Sequence, residues 1–222
     1  MFQILQIKHP AWYIAGDLFL HMLFFIIVVA VIVLVLRRPM RKYKPADMMV
    51  FTKLALVQTP ANDRLMLGIT FLGNHQLLIP ANLFVITWFL IFKGTHHYAF
   101  TVLLVSLSSL LLMFVLKHIF RRQRPLKPLL FEAKGKSFPS GHAMNAVCFY
   151  GLLLHMNLHS VAPASWHIIA AIITVLLILA IGFSRVYLMV HYASDVLAGF
   201  IVGACWLYIC LHTLERLSEV WG

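Results

Sequence analysis

Long apolar runs alternate with shorter polar connections along most of this chain. A helix that crosses the hydrocarbon core of a bilayer needs roughly 20 apolar residues, because each residue adds only about 1.5 Å of rise. Six segments reach or approach that length, and we predict that each spans a membrane: residues 18–36, 77–92, 98–116, 143–158, 166–183 and 196–211. The pattern therefore predicts an all-α fold, a bundle of six transmembrane helices forming a single domain, residues 1–222.

The polar stretch between the first two predicted spans has a helical pattern of its own. Apolar residues recur at roughly helical spacing in residues 47–57 and 63–71, with Pro60 between the two segments. We predict an interfacial helical hairpin here, at about residues 44–73. Two roles are open for this hairpin: a lid that controls access to a site, or simple packing on the surface of the bundle.

Composition agrees with a membrane protein and narrows the choice of partners. Of the 222 residues, 62% are hydrophobic and only 11% are charged, whereas soluble domains have about a quarter charged residues. The formal net charge is +11. No soluble module remains that could present these charges to nucleic acid, so anionic lipid headgroups or an anionic substrate are the expected partners. The three cysteines fall in apolar runs and indicate neither a zinc site nor a disulfide framework.

Three short polar segments at the edges of apolar runs contain residues suited to phosphate chemistry. They are Lys117-x6-Arg124-Pro125, Pro139-Ser140-Gly141-His142 and Ser184-Arg185-x5-His191-x3-Asp195. Charged residues beside a membrane span are costly unless they are paired or face water, so a cluster of them is a candidate functional site. Counting the crossings from one span to the next places all three segments on the same face of the membrane.

Two histidines and one aspartate of these segments could perform the chemical steps. His191 and Asp195 are four residues apart, so they lie one turn apart if the last helix begins near His191. A carboxylate bonded to one imidazole nitrogen fixes the tautomer and leaves the other nitrogen free to attack phosphorus. His142 is suited to protonate the leaving group. We predict His191, His142 and Asp195 as the catalytic residues.

Five further residues could bind the phosphate. Phosphoryl transfer requires neutralisation of charge on three oxygens, and Lys117, Arg124 and Arg185 provide three positive charges. Ser140 and Gly141 precede an apolar run, where the free N–H groups of a helix N-terminus favour an anion. We predict these five residues as the substrate-binding set.

Acidic residues are too few near these segments for a familiar metal site. Asp195 is the only acid within the three segments, and Glu132 is the only other on the adjacent loop. Magnesium and zinc phosphatases hold their ions with several carboxylates or with His and carboxylate sets. We therefore predict metal-independent catalysis, with no metal ligands and no cofactor.

The remaining basic and histidine residues fit a simpler interpretation. We interpret five basic residues of the loop as a solvated surface near anionic headgroups: Arg121, Arg122, Lys127, Lys134 and Lys136. The ten histidines outside the three segments lack a ligand-like set of partners in the sequence and are interpreted as interfacial or packing residues.

The order and spacing of the three segments resemble the signature motifs of the type 2 phosphatidic acid phosphatase superfamily. The resemblance extends over about residues 77–211, and the six-span plan is similar to that of the bacterial membrane members. It implies a phosphohistidine formed on His191, oriented by Asp195, with His142 as the general acid. It also implies a membrane lipid phosphate or diphosphate as substrate: phosphatidic acid, phosphatidylglycerol phosphate, undecaprenyl diphosphate or a lipid A phosphate.

The same resemblance implies a protein of the bacterial inner membrane whose active site faces the periplasm. The basic residues point the other way, because 15 of the 18 lie on the motif face and only Lys8, Lys93 and Arg216 lie opposite. The positive-inside rule taken alone would place that face in the cytoplasm. Phosphate binding gives several of these charges a competing reason to exist, so we keep the periplasmic orientation.

Other functions are open at this point. A phosphotransferase would use the same phosphohistidine but pass the group to a second lipid. A non-catalytic lipid-phosphate binder or transporter would keep the cations but has no need for His142 or for the pair of His191 and Asp195. A haloperoxidase, the activity of some soluble relatives, is disfavoured because the site adjoins membrane spans. The sequence does not reveal the lipid or the oligomeric state.

Overall fold

The computed structural model describes residues 16, 19–27, 30, 31, 34, 44–92, 96–125, 129 and 135–221. Within those residues the structure is helical and contains no strand. Residues 19–27 are helical, and seven further helices follow: α1 (Lys44–Ala55), α2 (Pro60–Leu72), α3 (His75–Ile91), α4 (His96–Phe120), α5 (Gly141–Leu158), α6 (Ala164–Tyr187) and α7 (Ala193–Trp221).

Four helical stretches of the described chain are long and apolar enough to cross a membrane: Pro60–Ile91, His96–Phe120, Ala164–Tyr187 and Ala193–Arg216. The last three contain the predicted spans 98–116, 166–183 and 196–211, and the first combines α2 with α3, which corresponds to the predicted span 77–92. The count of six stays a prediction. Part of the predicted span 18–36 lies outside the described residues, and 143–158 forms α5 but is not among these four stretches.

The outer surfaces of these helices are apolar, as expected for contact with lipid. On α6, for example, Ile168, Ile172 and Leu176 follow one another at helical spacing and are each between 55% and 61% exposed. Water would not tolerate so continuous an apolar surface on a monomer. The protein is therefore an integral membrane protein.

Helix α5 lies in the middle of the bundle and packs closely against α7. Two glycines of α7 make this approach possible, because a Cβ atom at Gly199 would lie 2.8 Å from the Ser140 carbonyl oxygen. A Cβ atom at Gly203 would lie 3.1 Å from the Met144 carbonyl oxygen. The absence of side chains at these two glycines therefore sets the start of α5 directly against the start of α7.

The two helices of the predicted hairpin form where the sequence places them. Helix α1 ends at Ala55, and α2 begins at Pro60 behind an N-cap at Thr59, whose hydroxyl accepts a hydrogen bond from the Asn62 N–H at 3.2 Å. Proline is well suited to the first turn of a helix because its missing N–H would have no partner there. The position of this hairpin in the membrane interface stays a prediction.

The hairpin is fastened to the bundle by hydrogen bonds from three buried or half-buried side chains. Arg185 Nη1 donates to Thr70 Oγ1 at 2.6 Å, and the Tyr187 hydroxyl donates to Asp63 Oδ1 at 2.8 Å. The Tyr150 hydroxyl donates to the Leu72 carbonyl oxygen, also at 2.8 Å. Helix α2 therefore packs against the end of the bundle that holds the predicted site.

Candidate active site

The three polar segments meet at one end of the bundle. The C-terminal ends of α4 and α6 lie beside the N-terminal ends of α5 and α7, because consecutive helices run in opposite directions. The Ser140 N–H donates to the Asp195 carbonyl oxygen at 3.0 Å, which joins the second segment to the third. Arg124 Nη1 lies 3.1 Å from His191 Nε2, which joins the first to the third. Residues far apart in the sequence thus surround one small volume.

His191 precedes the last helix rather than lying on it, since α7 begins at Ala193. Asp195 caps that helix: its Oδ2 accepts a hydrogen bond of 3.0 Å from the Tyr192 N–H, the reach-back contact of a capping box. The same Oδ2 lies 3.6 Å from His191 Nδ1, a close approach that is longer than a hydrogen bond. The same carboxylate oxygen therefore caps α7 and faces the His191 ring.

The contacts of the His191 ring define its tautomer. A guanidinium group is always a donor, so Nε2 of His191, which faces Arg124 Nη1 at 3.1 Å, must carry the lone pair. The ring proton then resides on Nδ1, which faces the Asp195 carboxylate. His191 and Asp195 are 1% and 0% exposed. The unprotonated nitrogen of His191, Nε2, therefore faces Arg124 and is shielded from water.

The three cations of the predicted phosphate site differ in their contacts. Lys117, in the last turn of α4, donates from Nζ to the Lys136 carbonyl oxygen at 2.8 Å. Arg124 donates to the carbonyl oxygens of Gly135 and Val190 at 3.1 and 2.9 Å. Arg185 is buried and within electrostatic range of both other cations. The structure thus brings the three positive charges into one neighbourhood.

Ser140 and Gly141 form the start of α5. Ser140 is the N-cap, yet its side chain makes no capping bond, and its buried Oγ has no hydrogen-bond partner among the described residues. Leaving a buried hydroxyl without a partner costs about 1–3 kcal/mol. A Cβ atom on Gly141 would lie 2.6 Å from Met113 Sδ, so a larger residue would require the Met113 side chain to move. An unpaired hydroxyl and a helix N-terminus together suit an anion.

His142 lies one residue further along α5 and is half-buried. It is within electrostatic range of Arg124, Arg185 and His191. Burial, and then the positive charges of Arg185 and Arg124, lower the pKa of His142, and a bound phosphate dianion would offset those charges. His142 can therefore act as an acid when the site holds a phosphate group.

Burial dominates the electrostatics of the His191 ring. It lowers the pKa of His191 from 6.5 to about 4; Arg124 and Arg185 act in the same direction, and Asp195 opposes them. Burial likewise lowers the pKa of the Arg124 guanidinium, again opposed by Asp195. His191 is therefore a neutral base at neutral pH, which is the state that a nucleophile requires.

The prediction for Arg122 was wrong. Its side chain is only 8% exposed, and its guanidinium bridges two carboxylates, with Nη1 at 2.6 Å from Asp195 Oδ1 and Nη2 at 2.8 Å from Asp47 Oδ2. The reason lies at the end of α4, where Arg121 adopts a left-handed conformation (φ 49°) that turns the chain. Arg121 remains exposed while Arg122 points inward. Lys127 and Lys134 lie outside the described residues.

Asp47 is the other residue that sequence reasoning missed. It lies in the first turn of α1, is 5% exposed, and also accepts a hydrogen bond of 3.0 Å from the Ser194 hydroxyl. The chain has only seven acidic residues, and one of them in the first turn of a predicted helix was a signal that could have been followed. Its partners, however, lie 75 and 147 residues away.

One group of potential metal ligands lies elsewhere, at the far end of α5. The ligand atoms of His155, His159 and Glu215 lie within 4.8 Å of one another, so these two histidines do have a ligand-like set of partners, contrary to the interpretation above. Fourteen residues of helix separate His155 from Gly141, roughly 20 Å. Among the described residues, the site around His191 offers no such group. The metal-independent reaction stays a prediction.

Comparisons with known proteins identify the family of this chain. Residues 98–219, more than half of the chain, match the PAP2 superfamily. A Bacillus subtilis protein called phosphatidylglycerophosphatase B is 34% identical over 180 residues, which cover 78% of this chain and 86% of that protein. An undecaprenyl-diphosphatase from Sulfolobus acidocaldarius is 30% identical over 162 residues, covering 70% of this chain and 72% of that protein.

A solved structure is similar over nearly the whole chain. The crystal structure of a transmembrane PAP2-type phosphatidylglycerolphosphate phosphatase from Bacillus subtilis superposes with a TM-score of 0.75 at 30% identity. The match covers 92% of this chain and 97% of that one. Since family, relatives and fold agree, the chain belongs to the PAP2, or type 2 phosphatidic acid phosphatase, superfamily, and it is a membrane lipid phosphatase.

Proposed function

We propose that this enzyme hydrolyses a membrane lipid phosphate or diphosphate in two steps, through a phosphohistidine formed on His191. The observation that carries the proposal is the placement of the His191 ring, whose Nε2 lies 3.1 Å from Arg124 Nη1 while Nδ1 faces Asp195. A nucleophilic histidine must be unprotonated at the attacking nitrogen, and that nitrogen must face the position of the phosphorus atom. Burial, which favours the neutral ring, and the position of Nε2 beside Arg124 support this role for His191.

In the first step, His191 Nε2 attacks phosphorus, and the bond from phosphorus to the lipid oxygen breaks. The leaving oxygen takes a proton from His142, and the equatorial oxygens are held by Lys117, Arg124 and Arg185. The positive charge that develops on the His191 ring is stabilised by Asp195. In the second step, a water molecule attacks phosphorus, His142 takes its proton, and the bond to Nε2 breaks.

A groove between helices supports a lipid rather than a soluble substrate. A cavity of about 200 Å³ lies among α3, α4 and α5, lined mainly by apolar side chains such as Leu78, Ile86 and Leu103. His75 also lines it, at the start of α3, and is within electrostatic range of His142. An acyl or prenyl chain in this groove would place its headgroup near the phosphate site.

Phosphatidylglycerol phosphate and undecaprenyl diphosphate are the substrates that we place first, because the relatives named above are called phosphatases of these lipids. Phosphatidic acid and lipid A phosphates follow. We also propose that the site faces the periplasm from the bacterial inner membrane. The 15 basic residues predicted on this face include Lys117, Arg124 and Arg185, which phosphate binding explains independently of topology.

A phosphate-release panel in detergent tests substrate and metal independence together. We expect turnover of at least one of the first two lipids, at a rate that EDTA does not change, since three fixed cations occupy the role of a metal. Activity lost in EDTA and restored by magnesium would contradict this mechanism. Transfer of labelled phosphate to a second lipid, in place of release to water, would show the phosphotransferase instead.

The pH dependence should reflect the low pKa of His191. Because that pKa is about 4, the ring is neutral throughout the range from pH 5 to 8, and protonation should remove the nucleophile only as the pH falls through about 4. The measurement is kcat/KM against pH for a phosphate monoester and a diphosphate lipid. A limb common to both substrates belongs to the enzyme, and a common loss of activity as the pH falls through about 6.5 would contradict the prediction, whereas a loss as the pH rises would report the general acid His142 instead.

A further inference from the structure

Arg122 and Asp47 form a buried charged network directly behind the catalytic pair. We infer that these two residues position Asp195, and through it His191, so that helix α1 is part of the catalytic unit. The inference rests on the roles proposed above for His191 and Asp195. Arg122 and Asp47 themselves touch neither substrate nor the reacting nitrogen.

The first step of the argument is the division of the Asp195 carboxylate between two tasks. Its Oδ1 accepts a hydrogen bond of 2.6 Å from Arg122 Nη1. Its Oδ2 accepts from the Tyr192 N–H and faces His191 Nδ1. A carboxylate held at one oxygen only can rotate about its terminal bond, which is a soft torsion. Arg122 removes this freedom and keeps Oδ2 pointed at the histidine.

The second step is that Arg122 is itself held in place. Its Nη2 donates to Asp47 Oδ2 at 2.8 Å, and its guanidinium lies 4.1 Å from the centre of the Tyr192 ring. The Ser194 hydroxyl accepts from Arg122 Nη1 at 2.7 Å and donates to Asp47 Oδ2 at 3.0 Å. Both terminal nitrogens of the Arg122 guanidinium therefore have hydrogen-bond partners. Such a planar, bidentate contact is one that lysine cannot reproduce.

The third step separates Arg122 from the phosphate-binding cations. The described contacts of Lys117 and Arg124 are with carbonyl oxygens and the His191 ring, neutral groups that a phosphate can replace. Arg122 instead contacts two carboxylates, Asp47 and Asp195, and a phosphate would compete poorly for a cation already paired twice. Arg122 therefore affects the chemical step and not substrate affinity.

Helix α1 gains a definite role from these contacts. Besides Asp47, it contributes Phe51, which is buried and stacks on Tyr192 with ring centroids 5.8 Å apart. Tyr192 adjoins His191 and donates its N–H to Asp195. Orienting the catalytic aspartate would be a third role for the hairpin, beside the two left open above, a lid and simple surface packing.

The test compares Arg122→Gln with its exposed neighbour, Arg121→Gln, as the matched control. Loss of a residue that orients a catalytic ligand typically lowers activity about 10–100-fold. We expect that loss in kcat of Arg122→Gln, with KM within about twofold of wild type, and partial recovery in Arg122→Lys, which keeps the charge but not the fork. Arg121→Gln should behave as wild type. Rates are measured per amount of monodisperse protein in detergent.

Asp47→Asn provides a second, milder variant. We expect its kcat to fall less than that of Arg122→Gln, and the two losses not to add in the double variant, since both act through Asp195. A purely structural role would lower the yield and thermal stability while leaving kcat of the folded protein unchanged. If Arg122→Gln does not fold, full kcat in both Arg122→Lys and Asp47→Asn overturns the inference.

His191→Ala, assayed in parallel, separates the two levels of the proposal. Turnover by His191→Ala would remove the proposed mechanism whatever Arg122 does. An inactive His191→Ala together with an Arg122→Gln enzyme that matches Arg121→Gln in kcat, or that differs only in KM, would overturn the positioning role alone.

Discussion

Replacing His191 with alanine is expected to abolish phosphate release, with turnover lowered by at least about 1,000-fold. The variant retains the cations and the general acid but has no atom that can form the covalent intermediate. His191 is fully buried, and among the described residues its ring makes two polar contacts, one from Arg124 Nη1 and one close approach to Asp195, neither of which joins two helices by itself. The fold should therefore survive the substitution, and steady-state phosphate release in detergent measures the loss.

A matched control and a direct assay of the intermediate complete this test. His167→Ala removes a histidine at the opposite end of α6, where the ring contacts Asn157, and should leave turnover unchanged. Wild-type enzyme mixed with labelled lipid phosphate and quenched rapidly should carry acid-labile phosphate on protein, and His191→Ala should carry none. Residual turnover near the wild-type rate in His191→Ala would rule out the covalent route.

Replacing Asp195 with asparagine should reduce both turnover and stability. Without the carboxylate the imidazole is no longer fixed in the productive tautomer, a change that lowers kcat by about 10⁴ in a comparable histidine and aspartate pair. Arg122 would lose one of its two buried carboxylate partners, and breaking a buried ion pair costs about 3–5 kcal/mol. Because Asp47 remains as the other partner, we expect the low end of that range.

Two measurements, kcat and the thermal unfolding transition in detergent, check this expectation. Asp63→Asn is the control: Asp63 is a hairpin carboxylate that accepts a hydrogen bond from the Tyr187 hydroxyl, and among the described residues it has no hydrogen bond to a predicted site residue. It should change kcat little. An Asp195→Asn enzyme with wild-type kcat would show that His191 needs no carboxylate to direct its lone pair.

The hydrophobic pattern anticipated most of the helices, and the tertiary structure added their exact ends. Residues 98–116, 166–183 and 196–211 all fall within longer helices, because a helix continues past the membrane boundary wherever its backbone finds partners. The case of α7 shows the limit. His191 and Asp195 would lie one helical turn apart if the last helix began near His191, but the helix begins at Ala193, where Asp195 bonds the Tyr192 N–H. His191 is held by a turn instead.

Distinguishing Arg121, Arg122 and Arg124 was beyond sequence reasoning. All three are arginines within four positions, yet one is exposed, one is buried between two carboxylates and one faces His191. The difference arises from a single backbone angle at Arg121 and from carboxylates about 75 residues distant in the chain. Spacing along a chain gives the side-chain direction only while the backbone is regular.

The sequence by itself determined that this chain folds in a membrane and that it holds a phosphate-directed set of cations and imidazoles, because apolar run length and residue chemistry are local properties. The family follows from the same motifs. Only the tertiary structure decided which nitrogen of His191 faces Arg124, that the Ser140 hydroxyl finds no hydrogen-bond partner among the described residues, and that Asp47 of α1 contacts the same guanidinium of Arg122 as Asp195. Each of these depends on which distant groups pack together once water is excluded, and burial makes those contacts strong enough to matter.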